Sequence, residues 1–367
     1  MTAQSWSAGF VVLLVGASIW VMPVLTRPTL QFGVRVPEDR VGAEVIRRER
    51  RAYSRRTAIL AICFTAATVL FAADSQVLIA ALPLLEPAAG LGCFLVAREH
   101  VAAAKIAEDW YGGLRQTVAV DTTWRTEPER FPVLWVVPAI AVLVTTVVIG
   151  AVRYPHLPDR LAVHFTASGG PDRWAATSIW SAFFPVATQG FTTALFVGLL
   201  LITYRSRPDV DAADVVGSTR RYRRFLAVTA RGMLALAALS NVSMLLSALQ
   251  TWQVYRLAGL AVVLPVLPTA VGTVVLLTIA VRMGQAGARL PTSAEDQGNP
   301  PGVGRDDDRF WTLGQIYVNR DDPALMVGKR FGVGWTLNFG NPTAWLILGG
   351  SAVVTTALLL VSVTASR

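Results

Sequence analysis

The sequence predicts an all-α membrane protein, a polytopic bundle of about eight transmembrane helices with short strand and turn elements in its loops. Two observations carry that expectation. Of 367 residues, 53% are hydrophobic and only 16% charged, and the mean hydropathy of +0.49 exceeds what the surface of a water-soluble domain tolerates. Apolar runs of the length that crosses a bilayer, about 18–20 residues, also recur along nearly the whole chain.

Eight uninterrupted apolar runs are present: 6–26, 57–73, 77–97, 133–152, 184–204, 225–249, 257–281 and 345–365. The first has no Lys or Arg ahead of it and no small-residue cleavage pattern behind it, so it reads as a true span rather than a secretory signal. Asp74, Ser75 and Gln76 alone separate the second and third runs, which predicts two antiparallel helices joined by a tight turn.

The formal charge is +9. In a soluble protein that would suggest nucleic acid, but here the basic residues flank the spans, and a nucleic-acid partner is not expected. Lys plus Arg number 9 in 27–56, 5 in 98–132, 6 in 205–224 and 7 in 282–344, against five at Arg153, Arg160, Arg173, Arg256 and Arg367. Basic loops next to spans mark the cytoplasmic side, where anionic headgroups attract each Lys or Arg by about 1 kcal/mol. The alternation therefore predicts an even number of crossings in the plasma membrane. Both termini are then extracytoplasmic, and anionic lipid is the first partner.

The resulting division is an N-terminal membrane region (1–152), an extracytoplasmic loop (153–175), a second membrane region (176–281), a cytoplasmic linker (282–309), an aromatic and Gly-rich cytoplasmic element (310–344) and a last span (345–365). Glu44 and Glu49 among the arginines of 44–56 predict an interfacial helix running into the second span. Residues 98–115, with Trp110 and Tyr111, read as a helix on the lipid surface. The polar, Gly- and Pro-rich stretch 290–309 reads as linker. Cys63 and Cys93 fall in apolar runs and imply no disulfide.

In the outer loop, Leu161, Val163 and Phe165 alternate with Ala162, His164 and Thr166, the period of a short strand. Gly169, Gly170 and Pro171 then make a turn, and Asp172 is placed to cap the helix of the fifth span. His164 and Asp172 are local hydrogen-bonding groups on this reading. With His156 and Asp159 they are also types Zn²⁺ accepts, though no established ligand spacing is present. A binding patch for a peptide or other envelope component, with Trp174, is the third reading.

Glu86 lies within the third run between Pro83 and Pro87, and Arg231 lies within the sixth. Intramembrane charges are costly enough to be functional candidates by default. Helical rise puts Glu86 about 16 Å and Arg231 about 10 Å from the cytoplasmic face, which suits a neutralising pair, a snorkelling Arg with a protonated Glu, or a proton or ion pathway. The glycines around Lys329 and Arg330 lack the spacing of a phosphate loop. H-E-x-x-H and G-x-S-x-G boxes are absent, so neither an enzyme nor a cofactor is expected.

The order Leu157-Pro158, His164-Phe165, Gly169, Asp172, Trp174 resembles the signature of a bacterial membrane family whose best-known relatives are immunity proteins of the sporulation-delay-protein (SdpI) type. The box Phe310-Trp311, Tyr317, Asn319, Asp321-Asp322-Pro323 and Lys329-Arg330-Phe331-Gly332-Val333-Gly334-Trp335 through Asn338 to Asn341 looks like a second domain that accompanies that loop in Gram-positive bacteria. The resemblance implies protection of the membrane from a toxic peptide. His164, Gly169 and Asp172 would then recognise it outside, and the inner box would serve a cytoplasmic protein partner. The best-known relatives are shorter and lack that box. The leading expectation is non-enzymatic sensing of, or immunity to, an envelope-active ligand. The alternative is a proton- or ion-coupled transporter using Glu86 and Arg231.

Overall fold

The computed structural model describes residues 3–71, 75–114, 116–117, 129–165, 170–206, 208, 210, 214–256, 264–291 and 303–365. Gly169, the stretch 292–302 of the expected linker, residues 118–128 and residues 257–263 of the seventh run lie outside them. Among the described residues are eight α-helices: α1 (Ala3–Leu25), α2 (Glu44–Phe71), α3 (Gln76–Ala107), α4 (Val137–Arg153), α5 (Ile179–Tyr204), α6 (Val215–Thr251), α7 (Leu267–Met283) and α8 (Pro342–Ala365). Ten short strands form five two-stranded pairs. Those used below are β1 (Leu30–Gln31), β2 (Val34–Arg35), β4 (Arg160–Phe165), β5 (Pro171–Ala176), β7 (Trp311–Thr312), β8 (Ile316–Tyr317), β9 (Met326–Gly328) and β10 (Trp335–Leu337).

Among the described residues, six helical segments are long and apolar enough to cross a membrane: Glu44–Phe71, Ala81–Ala107, Val133–His156, Ile179–Tyr204, Val215–Thr251 and Leu267–Gly287. Helices α1 and α8 supply the shorter apolar stretches Gly9–Leu25 and Pro342–Ala357. Leucines and valines along these helices are exposed, as lipid-facing side chains must be. The chain is a multi-pass helical membrane protein.

Two compact units are present. The first comprises Met1–Pro128, Arg207–Phe225 and Ala280–Asn341, and the second Glu129–Ser206, Leu226–Ile279 and Pro342–Arg367. In the first, α1, α2 and α3 pack together. Helix α2 starts at Glu44, an acid in its first turn where the helix dipole favours negative charge, and runs unbroken through the arginines into the apolar run. Ser75 caps α3 by accepting from the Leu78 N–H at 3.3 Å. Helix α3 then continues to Ala107, so 98–107 extends the third span and is not a separate helix on the lipid surface. Trp110, expected at that surface, is instead buried in the core formed by Phe32, Val34, Ile46, Tyr53, Phe94 and Val101. Its indole N–H donates to Glu108 at 2.8 Å.

Phe32 and Gly33, both at positive φ, form the two-residue turn between β1 and β2, the hairpin geometry that matches strand twist. That turn drives Phe32 into the core, where Phe331 stacks on it at 5.9 Å and meets Phe94 at 4.5 Å. In the second unit, Trp252 is fully buried beside Gly150 of α4, and its indole N–H donates to the Ala182 carbonyl of α5 at 2.9 Å. A single side chain thus ties α4, α5 and α6 together at one end. Helix α8 packs on α5.

Candidate functional site

The loop between α4 and α5 forms an antiparallel hairpin of β4 and β5. Asp172 therefore lies in a strand and does not cap the fifth span. Ser178 does, in a reciprocal capping box with Ser181, because pairing of 171–176 with 160–165 delays the helix start to Ile179. Leu161 faces Ala175 across the hairpin and both are buried. The register is irregular around His164. There His164 Nδ1 and Asp172 Oδ1 are 2.6 Å apart, both side chains exposed. The hydrogen bond from His164 outweighs desolvation and holds the Asp172 carboxyl below its ordinary value. Trp174 is exposed on the same strand, as are Ile179 and Trp180 just beyond it. The hairpin and the helix start that follows it thus expose an imidazole–carboxylate pair and large apolar side chains. Among the described residues, no three His, Cys, Asp or Glu side chains gather as metal ligands.

The C-terminal motif residues mostly hold their own turns. Asn338 is fully buried. Its amide donates to the carbonyls of Asn319 at 2.8 Å, Asp322 at 3.0 Å and Ala324 at 3.2 Å, while its oxygen accepts from the Asn319 and Gly340 N–H groups. The Tyr317 hydroxyl donates to Asp322 at 2.9 Å. The indole N–H of Trp335 donates to Tyr222 at 3.1 Å. Gln285 clamps the hairpin of β9 and β10, donating to the Lys329 and Gly334 carbonyls and accepting from the Gly334 N–H at 2.7 Å. Gly332, at φ +82°, approaches Met22 so closely that a Cβ would strike its sulfur, and its N–H donates to the Thr26 hydroxyl at 2.9 Å. The Lys329 side chain is exposed.

Arg330 is 2% exposed. Its guanidinium lies over Trp311 at 4.9 Å, donates to the Gly33 carbonyl at 3.0 Å and pairs with both Asp307 and Asp308. Arg35 reaches Asp307 at 2.8 Å, and Lys105 reaches Asp306 and Asp308 at 2.7 Å each. Burial pushes the Asp308 carboxyl up, but Arg330 and Lys105 outweigh it and leave the group below its ordinary value. The aspartates expected in a solvated linker are therefore anchors of the fold. Residues 285–287, also placed in the linker, form a buried turn.

Glu86 belongs to the first unit and is 1% exposed. Gly16, Ile19, Thr57, Leu60 and Gly90 line its site. Arg231 belongs to the second unit, is exposed, and exerts its charge on Tyr204. Sequence reasoning missed a polar cluster in the second unit. Gln189 Nε2 donates to Thr146 Oγ1 at 3.0 Å and to the Asn241 carbonyl at 2.8 Å, and Asn241 Nδ2 donates to the Ala139 carbonyl at 3.0 Å and to Thr193 Oγ1 at 2.9 Å. Turning either amide round would set its oxygen against a backbone carbonyl, so both orientations are fixed. Uncharged amides inside otherwise apolar runs were the available signal. Asp306–Asp308 and Gln285 offered none, because their partners are distant in sequence.

Fold and sites define a multi-pass helical membrane protein with an exposed hairpin between two helices and a knotted polar segment ahead of its last one. Residues 141–189 match a family described as a domain of unknown function (DUF1648), and residues 320–345 match one described as a family of unknown function (DUF5808). The first match takes in the hairpin together with Thr146 and Gln189. The second takes in Asp322, Lys329, Arg330, Gly332, Gly334, Trp335 and Asn338, but neither Trp311 nor Asn319. No curated protein and no solved structure matches the chain.

Proposed function

We propose that the protein crosses the plasma membrane eight times with both termini outside, and that it senses or resists an envelope-active peptide through the β4–β5 hairpin without catalysing a reaction. The exposed His164–Asp172 pair beside Trp174 carries this reading. It offers a carboxylate and an imidazole to a peptide's polar groups, and bare aromatic surface to its apolar ones. The SdpI-type resemblance points the same way. The topology is supported by the contacts that join four Arg-rich segments. Arg330 meets the 27–56 segment at Gly33, Lys105 meets Asp308, and Tyr222 meets Trp335. A bilayer between any two of them would forbid those contacts, and the abundance of arginine supports a cytoplasmic position for them.

The test is survival of cells lacking the protein, rescued with wild type or with His164→Ala/Asp172→Ala at equal expression, across a panel of membrane-active peptides. Protection that the double variant loses supports the reading. Equal protection by both, or none by wild type, overturns it. A second reading, a proton- or ion-coupled transporter using Glu86 and Arg231, is favoured by one observation: a carboxylate buried within a membrane-crossing helix. Glu86→Gln abolishes uptake or efflux on that reading and leaves peptide protection intact.

A further inference from the structure

Neither oxygen of Glu86 has a hydrogen-bond partner among the described residues. Glu86 lies ten residues into α3, about 15 Å along its axis and so about half-way through a hydrocarbon core of roughly 30 Å. An unpaired carboxylate there would be held at a cost of several kcal/mol. Something must neutralise it, and the surroundings narrow what that is.

The described part of α1 contains no titratable residue. On α2 the nearest cation is Arg56, whose field falls on Cys93, two turns and about 10 Å along α3 from Glu86. Among the described residues, no charged side chain bears on Glu86 itself. Thr57 is the one hydroxyl in the lining, and its proton is already given to the Tyr53 carbonyl at 2.9 Å. At Gly16 the carboxyl lies against bare backbone, where a Cβ would collide with Oε1 and with Ala61. The site has no room for a water-sized sphere, and a metal ion with its shell is larger still.

A proton adds no volume and removes the charge. We propose that Glu86 is a proton-binding site, loaded in this conformation, that releases H⁺ to water only when α1, α2 and α3 part. Release breaks the O–H bond and leaves a carboxylate, which water admitted by the parted helices would solvate. The inference deepens the transport reading by naming the proton as the ion, and rests on that reading for its use in transport.

Infrared spectra of the full chain in liposomes test it. Wild type should show the carbonyl stretch of a protonated carboxylic acid, persisting at bulk pH values well above the ordinary Glu pKa of about 4.3, and Glu86→Gln should lack it. Identical wild-type and variant spectra in that band overturn the proposal. Gln copies the neutral acid in size, so a Gln variant that fails to fold also counts against it. Dissipation of an imposed pH gradient by the same liposomes separates the two claims. The band without proton flux leaves the proton site standing and removes the transport reading.

Discussion

Arg330 and Glu86 are both buried and ionisable, and opposite solutions keep them so. The guanidinium of Arg330 is matched by Asp307, Asp308 and a carbonyl, so removing it leaves two half-buried carboxylates without their main partner. Arg330→Met should cost about 3 kcal/mol, the lower end for a broken buried pair because both aspartates keep some contact with water. Thermal unfolding in detergent would show it, and Arg330→Lys should restore only part, since an ammonium cannot fork between two carboxylates. Asp308 adds a pH dependence. Its carboxyl is held below the ordinary value of 3.8, so its stabilisation is complete above that value and lost as pH falls through the lowered one. Melting temperature measured against decreasing pH should fall more steeply for wild type than for Asp308→Asn. The exposed His164–Asp172 pair contributes little to stability. His164→Ala should leave melting unchanged, which makes it a clean probe of recognition.

At the scale of elements, the six long apolar helices were legible because long apolar runs admit few alternatives, while the first and last runs give only shorter apolar stretches. Their ends were not. The arginines of 47–56 ahead of the apolar run of α2, and Arg98 and Lys105 beyond that of α3, lie within those helices, since arginine and lysine are good helix formers and only the bilayer, not the helix, ends where charge begins. Strand β5 was hidden because Pro171–Ala176 has no period-two pattern, and its pairing is imposed by β4. The motif residues Asn319, Asp322 and Asn338 stood out in the sequence as a binding box, but they spend their hydrogen bonds on one another and on turns. The cluster around Gln189 links α4, α5 and α6 through uncharged amides that a search for charge passes over. Asn241→Leu should cost about 1 kcal/mol, given roughly 0.6 kcal/mol for each interhelical hydrogen bond in a membrane, and it should loosen these three helices without unfolding the chain. Hydrogen exchange of α4 in detergent would report the loosening.

For the whole molecule, the contacts among the four Arg-rich segments and the rule of basic cytoplasmic loops both support the proposed topology. The aromatic and Gly-rich element is then not a module hung in the cytoplasm. Gln285, Tyr222, Gly33 and Thr26 each hold it to the base of the first unit, so a ligand or partner that moved one of these segments would strain the others. Truncation of 303–341 should therefore destabilise α1–α3 as well as remove a surface, which limited proteolysis of the remaining chain would reveal. Everything proposed for the β4–β5 hairpin depends on its facing away from the cytoplasm. The decisive measurement is labelling of intact cells with a membrane-impermeant maleimide, using single-cysteine variants Arg173→Cys and Lys329→Cys in a background with Cys63 and Cys93 replaced by Ser. Modification at 173 without permeabilisation, and at 329 only after it, is the expected result. Modification of both positions in intact cells, or of 329 alone, would contradict the account.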